Sequence, residues 1–147
     1  MNIKKFDIKA RFVTLGYIIK LMCEDRIDWQ YPHQDDSFVG ASRESDLIES
    51  ILLGIPLPFF CFFDMGDDTC QIMQGKRKAM ILKDFIIDKN FRLQDLRILT
   101  QLEGYSYDDL PRDLLRRIED MQVAVYNVGV SASDTDKSII FSRIRGW

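Results

Sequence analysis

The chain has 147 residues, of which 46% are hydrophobic and 29% charged, and its net charge is −3. That length suits one domain with a core large enough to stand without disulfide or metal staples. The charge balance excludes a protein that is basic all over, as a non-specific nucleic-acid coat would be, but not a local basic patch.

In chain order, Leu15, Ile18, Ile19 and Met22 recur at helical spacing and predict a first helix to about Asp25. Asp28 to Ser42 is polar, with Pro32, Gly40 and clustered Asp35, Asp36 and Ser37, and reads as a long loop. Ser45 to Leu53 predicts a second helix, with Leu47, Ile48, Ile51 and Leu52 as its apolar stripe and Gly54 as its stop. Pro56 and Pro58 then force extended backbone. Phe59 to Phe63 reads as a buried strand, Met65 to Asp68 as a turn, and Thr69 to Gln74 as the second strand of a hairpin.

Gly75 opens a third helix to about Asp88, carrying Ala79, Leu82, Phe85 and Ile86 on one face. Phe91 to Leu102 fits either a strand or a helix. Ser106 to Asp120 reads as one helix, with Ser106 and Asp109 as a capping box and Pro111 in the first turn. Gln122 to Val128 reads as a central strand and Asp134 to Arg145 as a last helix. The expected order is α, loop, α, ββ, α, α, β, α, which is an α+β fold with a small mixed sheet packed by several helices.

Cys23, Cys61 and Cys70 are odd in number and form no CxxC or Cys/His cluster, so no disulfide framework and no metal site are expected. The longest apolar run, Ile51 to Phe63, is broken by Gly54, Pro56 and Pro58. A bilayer span needs about 18 unbroken apolar residues. With no secretory h-region either, the expectation is a cytoplasmic protein without membrane contact.

The stretch Gln74-Gly75-Lys76-Arg77-Lys78 carries the chemistry. It lies at a strand-to-helix junction, where glycine permits a tight turn and the first helical N–H groups favour an anion. Basic residues at a helix start oppose its dipole, so three in a row ask for a reason, and phosphate supplies one. The alternative is a solvated basic turn. His33, Asp35 and Asp36 are weaker candidates for a general base or a Mg²⁺ hold, against a hydrated loop. Arg112, Arg116 and Arg117 interleave with acids as a solvated helix face, and Arg143 could reach a phosphate.

Leu47-Ile48-Glu49-Ser50-Ile51-Leu52-Leu53-Gly54-Ile55-Pro56-Leu57-Pro58 resembles a phrase of the domain that heads GmrSD-type, modification-dependent restriction proteins, a family similar to ParB/sulfiredoxin-like nuclease domains. Gly104-Tyr105-Ser106-Tyr107-Asp108-Asp109-Leu110-Pro111 and Ile140-Phe141-Ser142-Arg143-Ile144 resemble two further segments of it, in the same order. The resemblance implies a single domain over 1–147, nucleotide hydrolysis or DNA processing, nucleotide with Mg²⁺ as ligand, and a phage-defence setting in bacteria. It places Gln34 near a second family motif. It also exposes departures. An amide, Gln74, stands where the family has an acid, Lys78 replaces an arginine, and Asp35 stands where an arginine is expected. Relatives continue beyond the position of Trp147, so the resemblance reads this chain as a fragment or a short member.

Three functions follow as expectations. The first is a divergent binding module that holds nucleotide or DNA phosphate with weakened or no catalysis, since an amide can neither take a proton nor bring charge to a metal. The second is an active hydrolase or nuclease using a displaced carboxylate such as Asp35, Asp36 or Asp64. The third is a partner-binding remnant that exposes part of the Ile55 to Phe63 run.

Overall fold

Alternating apolar residues and two helix-capping boxes assemble into an α+β fold, seen in a computed structural model that describes residues 1–31 and 41–146. Among the described residues, five strands form one mixed sheet in the order β1-β5-β3-β4-β2: β1 (Ile8–Thr14), β2 (Ile27–Asp28), β3 (Phe60–Gly66), β4 (Thr69–Gln74) and β5 (Gln122–Val128). β1 runs antiparallel to β5, β5 parallel to β3, β3 antiparallel to β4, and β2 parallel to β4. The helices are α1 (Leu15–Cys23), α2 (Ala41–Leu52), α3 (Lys76–Leu82), α4 (Arg112–Asp120) and α5 (Asp134–Arg145).

One sheet face carries the main core. Phe60, Phe62, Ile72, Val123 and Val125 meet Leu15 and Ile18 of α1, Ile48 and Leu52 of α2, Ala79 and Leu82 of α3, and Ile118 of α4. The other face carries a smaller core in which Ile140 of α5 packs with Cys61, Phe63, Met73 and Val128. β3 is therefore buried on both sides, which is why it reads as a continuous apolar run. Burial pushes the Cys61 thiol up to about 12 and the Cys70 thiol up to about 11.

α2 ends in a Schellman motif. Gly54 takes φ +80°, its N–H bonds the Ile51 carbonyl at 3.0 Å, and the Ile55 N–H bonds the Ser50 carbonyl at 2.9 Å. The Arg117 guanidinium from α4 donates to the Leu52 carbonyl at 3.1 Å and closes the same helix end. Arg117 is thereby a helix cap as well as part of the exposed face of α4.

The structure corrects several expectations. β1 and β2 are missing from the anticipated order. β1 has five of its seven residues exposed, so its inward apolar set is too sparse to show as a strand pattern. The 106–120 segment is two pieces: the Ser106/Asp109 box caps only a single turn, Tyr107–Asp109, and Leu110 and Pro111 are extended before α4 begins. Leu110 cannot stay helical in front of a proline. α2 starts at Ala41, earlier than Ser45, and 91–102 is irregular apart from a turn at Thr100–Leu102. The third helix continues past Leu82 as a π-helical turn, Lys83–Ile87. Among the described residues, no helix is long and apolar enough to cross a membrane.

Candidate functional site

The β4–α3 junction forms as the glycine and the strand pairing dictate. Cys61 pairs with Gln74, so the chain turns at Gly75 directly over the start of β3. Gly75 takes φ +94°, a conformation that favours glycine, and as the N-cap residue it supplies no side-chain cap to α3. A Cβ at this position would lie 2.6 Å from the Phe60 ring. Glycine is thus required by the core as well as by the turn.

The three basic side chains part company. Lys76 is buried, 6% exposed, and engaged. Arg77 is exposed. Lys78 turns back onto the sheet, where its Nζ donates to the Phe59 carbonyl at 3.2 Å and lies 4.9 Å from the Phe60 ring centre. Gln74 is half-buried at the end of β4. Arg143 is exposed on α5, which packs on the sheet face opposite α3. The junction therefore offers a helix start entered through glycine and one exposed guanidinium, not a convergent cluster of cations. His33, Gln34, Asp35 and Asp36 lie outside the described residues.

Asp64 sits at the far end of β3 from this junction. It accepts from Asn127 Nδ2 at 3.0 Å, in a cleft of about 320 Å³ that Arg11 and Arg26 also line. Four residues of strand, roughly 13 Å, separate it from Phe60. The fold does not bring this carboxylate to Gly75. Of the run Ile55 to Phe63, Ile55 is half exposed at 49%, whereas Phe60 to Phe63 are core.

Burial lowers the Lys78 ammonium to about 8 from an ordinary value of 10.5. The unfolded chain then binds the extra proton between those two values, so stability should rise with pH across that window. Lys78→Met removes the buried ammonium. It should be more stable than the parent below about pH 8 by about 1 to 2 kcal/mol, less than the full shift because the side chain is only partly buried. The advantage should fade toward pH 10.5. Urea denaturation of both proteins across that range measures it, and a constant difference would show that the ammonium is not the cause.

Two buried carboxylates on α2 were not legible as candidates in the sequence. Glu49 of α2 is 5% exposed and accepts the backbone N–H groups of Arg97, Ile98 and Leu99 at 3.4, 3.0 and 2.9 Å. Those contacts outweigh the burial that opposes ionisation and hold its carboxyl below the usual range. Glu44, five residues earlier, is 6% exposed and its Oε2 has no hydrogen-bond partner among the described residues. Burial and the Asp84 carboxylate push it up, against the opposing charge of Arg77. Glu44 falls on the polar start of α2, where a charged residue reads as solvated. Only the cleft it shares with the 84–94 segment, far along the chain, marks it.

No family model matches the chain, and neither a curated protein nor a solved structure matches it.

Proposed function

We propose that this chain is a divergent ParB-like domain, akin to those that head GmrSD-type restriction proteins, and that it binds the phosphate of a nucleotide or nucleic acid at the β4–α3 junction with little or no turnover. The supporting observation is the first turn of α3, entered through a Gly75 that gives it no side-chain cap, with Arg77 exposed beside it. The N–H groups of a helix start and a nearby guanidinium suit an anion. Gln74 in the acid's place favours holding over hydrolysis, and Asp64 is too remote to substitute.

Calorimetric titration with ATP and with a short DNA duplex, each with and without Mg²⁺, tests the reading. The expected result is saturable binding without phosphate release. Arg77→Ala should weaken that binding by about tenfold and reduce the salt slope by about one. Arg77 is exposed, so this variant should fold. Affinity and salt dependence unchanged in Arg77→Ala would remove the junction as the binding site.

A further inference from the structure

A second cleft, of about 680 Å³, opens beside α2 and the π-helical turn, with Glu44 and Asp84 on its wall. We propose that it is a binding site for a guanidinium group, carried by a small molecule or by an arginine side chain of a peptide, with Glu44 and Asp84 as the recognising carboxylates.

A carboxylate oxygen shielded from water and given no donor is costly, and native proteins rarely leave one in that state. Glu44 Oε2 is in that state, on a residue only 6% exposed. The Asp84 carboxylate stands nearby and is half-buried, which raises the cost of ionising Glu44 further. Among the described residues neither acid forms an ion pair, so the two together are complementary to a cation that arrives from outside.

The rest of the wall narrows the ligand. Asn90, Gln94 and Ser106 add oxygen acceptors, and Phe91 adds an apolar surface. A guanidinium has five donors, no acceptor and a flat face that rests on an aromatic ring. The basic residues of the cleft are already occupied. Lys89 pairs with Asp108 at 2.9 Å, and Arg92 pairs with Asp109 at 3.1 Å. They leave Glu44 and Asp84 as the unspent charges. Among the described residues, no three acidic, histidine or cysteine side chains gather to hold a metal ion, so an organic cation suits the pair better.

The cleft and the α3 start use different groups, so either reading can fail alone. Arg77 ties them together usefully, because its charge opposes that of an incoming cation beside Glu44. In Arg77→Ala, polyanion binding should weaken while guanidinium binding tightens.

Backbone amide NMR of the full chain, titrated with ethylguanidinium and with acetyl-arginine amide, tests the site. Saturable shifts are expected at Asn90, Gln94 and Ser106. Glu44→Gln and Asp84→Asn should each lower the affinity by about tenfold to a hundredfold, the range for a lost charge-assisted hydrogen bond. Glu44→Gln should melt no lower than the parent, because it removes an unpaired buried charge, and so separates lost binding from lost fold. The better-held probe identifies the source as free ligand or peptide. Absence of saturable shifts at those amides, or equal affinity in the parent and both variants, would overturn the proposal.

Discussion

Gly75→Ala should destabilise the domain by about 2 to 5 kcal/mol, a large part of the 5 to 15 kcal/mol typical of a domain. Two costs add. At φ +94°, a side chain meets its own backbone, which costs about 1 to 2 kcal/mol. The new methyl would also lie 2.6 Å from Cδ1 and 3.1 Å from Cε1 of Phe60. That ring is fully buried, stacked near-parallel on Phe62 at 6.3 Å and covered by the Lys78 ammonium, so it has nowhere to withdraw. Forcing a methyl into such a core costs about 1 to 3 kcal/mol more. Urea denaturation should show the loss as a lower midpoint. The Phe60→Leu background should return part of it, because the two sites then couple through the vacated space. A single-site loss under about 0.5 kcal/mol would fall in the range of ordinary surface changes and would falsify the close-contact account.

The same position shows how far the sequence can be read. A glycine between a strand and a basic helix start was legible as a turn and as a route for an anion. The Phe60 ring beneath it was not, because the pairing of Cys61 with Gln74 that sets ring over glycine is a tertiary fact. The three basic residues looked like one cluster in the sequence. Successive helical positions point about 100° apart, so Lys76 enters the protein, Arg77 leaves it and Lys78 folds back on β3. A run of charge on a helix predicts charge near that end, but not convergence.

The apolar phrase that carries the family resemblance behaves in the opposite way. Ile48, Ile51 and Leu52 are the buried stripe of α2, and Gly54 with Ile55 forms its terminating motif. Almost every letter has a reason in packing or chain reversal, so the phrase specifies how the chain folds rather than what it binds. That is why the resemblance and the α+β expectation could both be drawn from residues that touch no proposed ligand. The β1 strand escaped notice for the converse reason. It lies at the sheet edge with Phe12 73% exposed, where neither face has a strict apolar demand.

Glu49 is the exception within that phrase, and its replacement should carry the other large effect. Glu49→Leu should cost about 2 to 4 kcal/mol, because three backbone N–H groups lose a charged acceptor and one side chain cannot reach them otherwise. The N–H groups belong to Arg97, Ile98 and Leu99, nearly fifty residues away, in a stretch with little regular structure of its own. Glu49→Gln keeps the shape and one oxygen and should lose about half as much. The pH dependence separates charge from shape. The folded carboxyl ionises below its ordinary 4.5, so its contribution is complete above that value and disappears as the pH falls through the lower folded one. The gap between parent and Glu49→Gln should therefore be widest near neutrality and close in acid. Amide exchange should meanwhile speed up at Ile98 and Leu99 in both variants, since the carboxylate fixes that loop to α2. If the variants keep the parent's stability and exchange at those two amides, the clamp is not what holds the 97–99 segment, and the burial of Leu93, Leu96 and Leu102 around it must suffice.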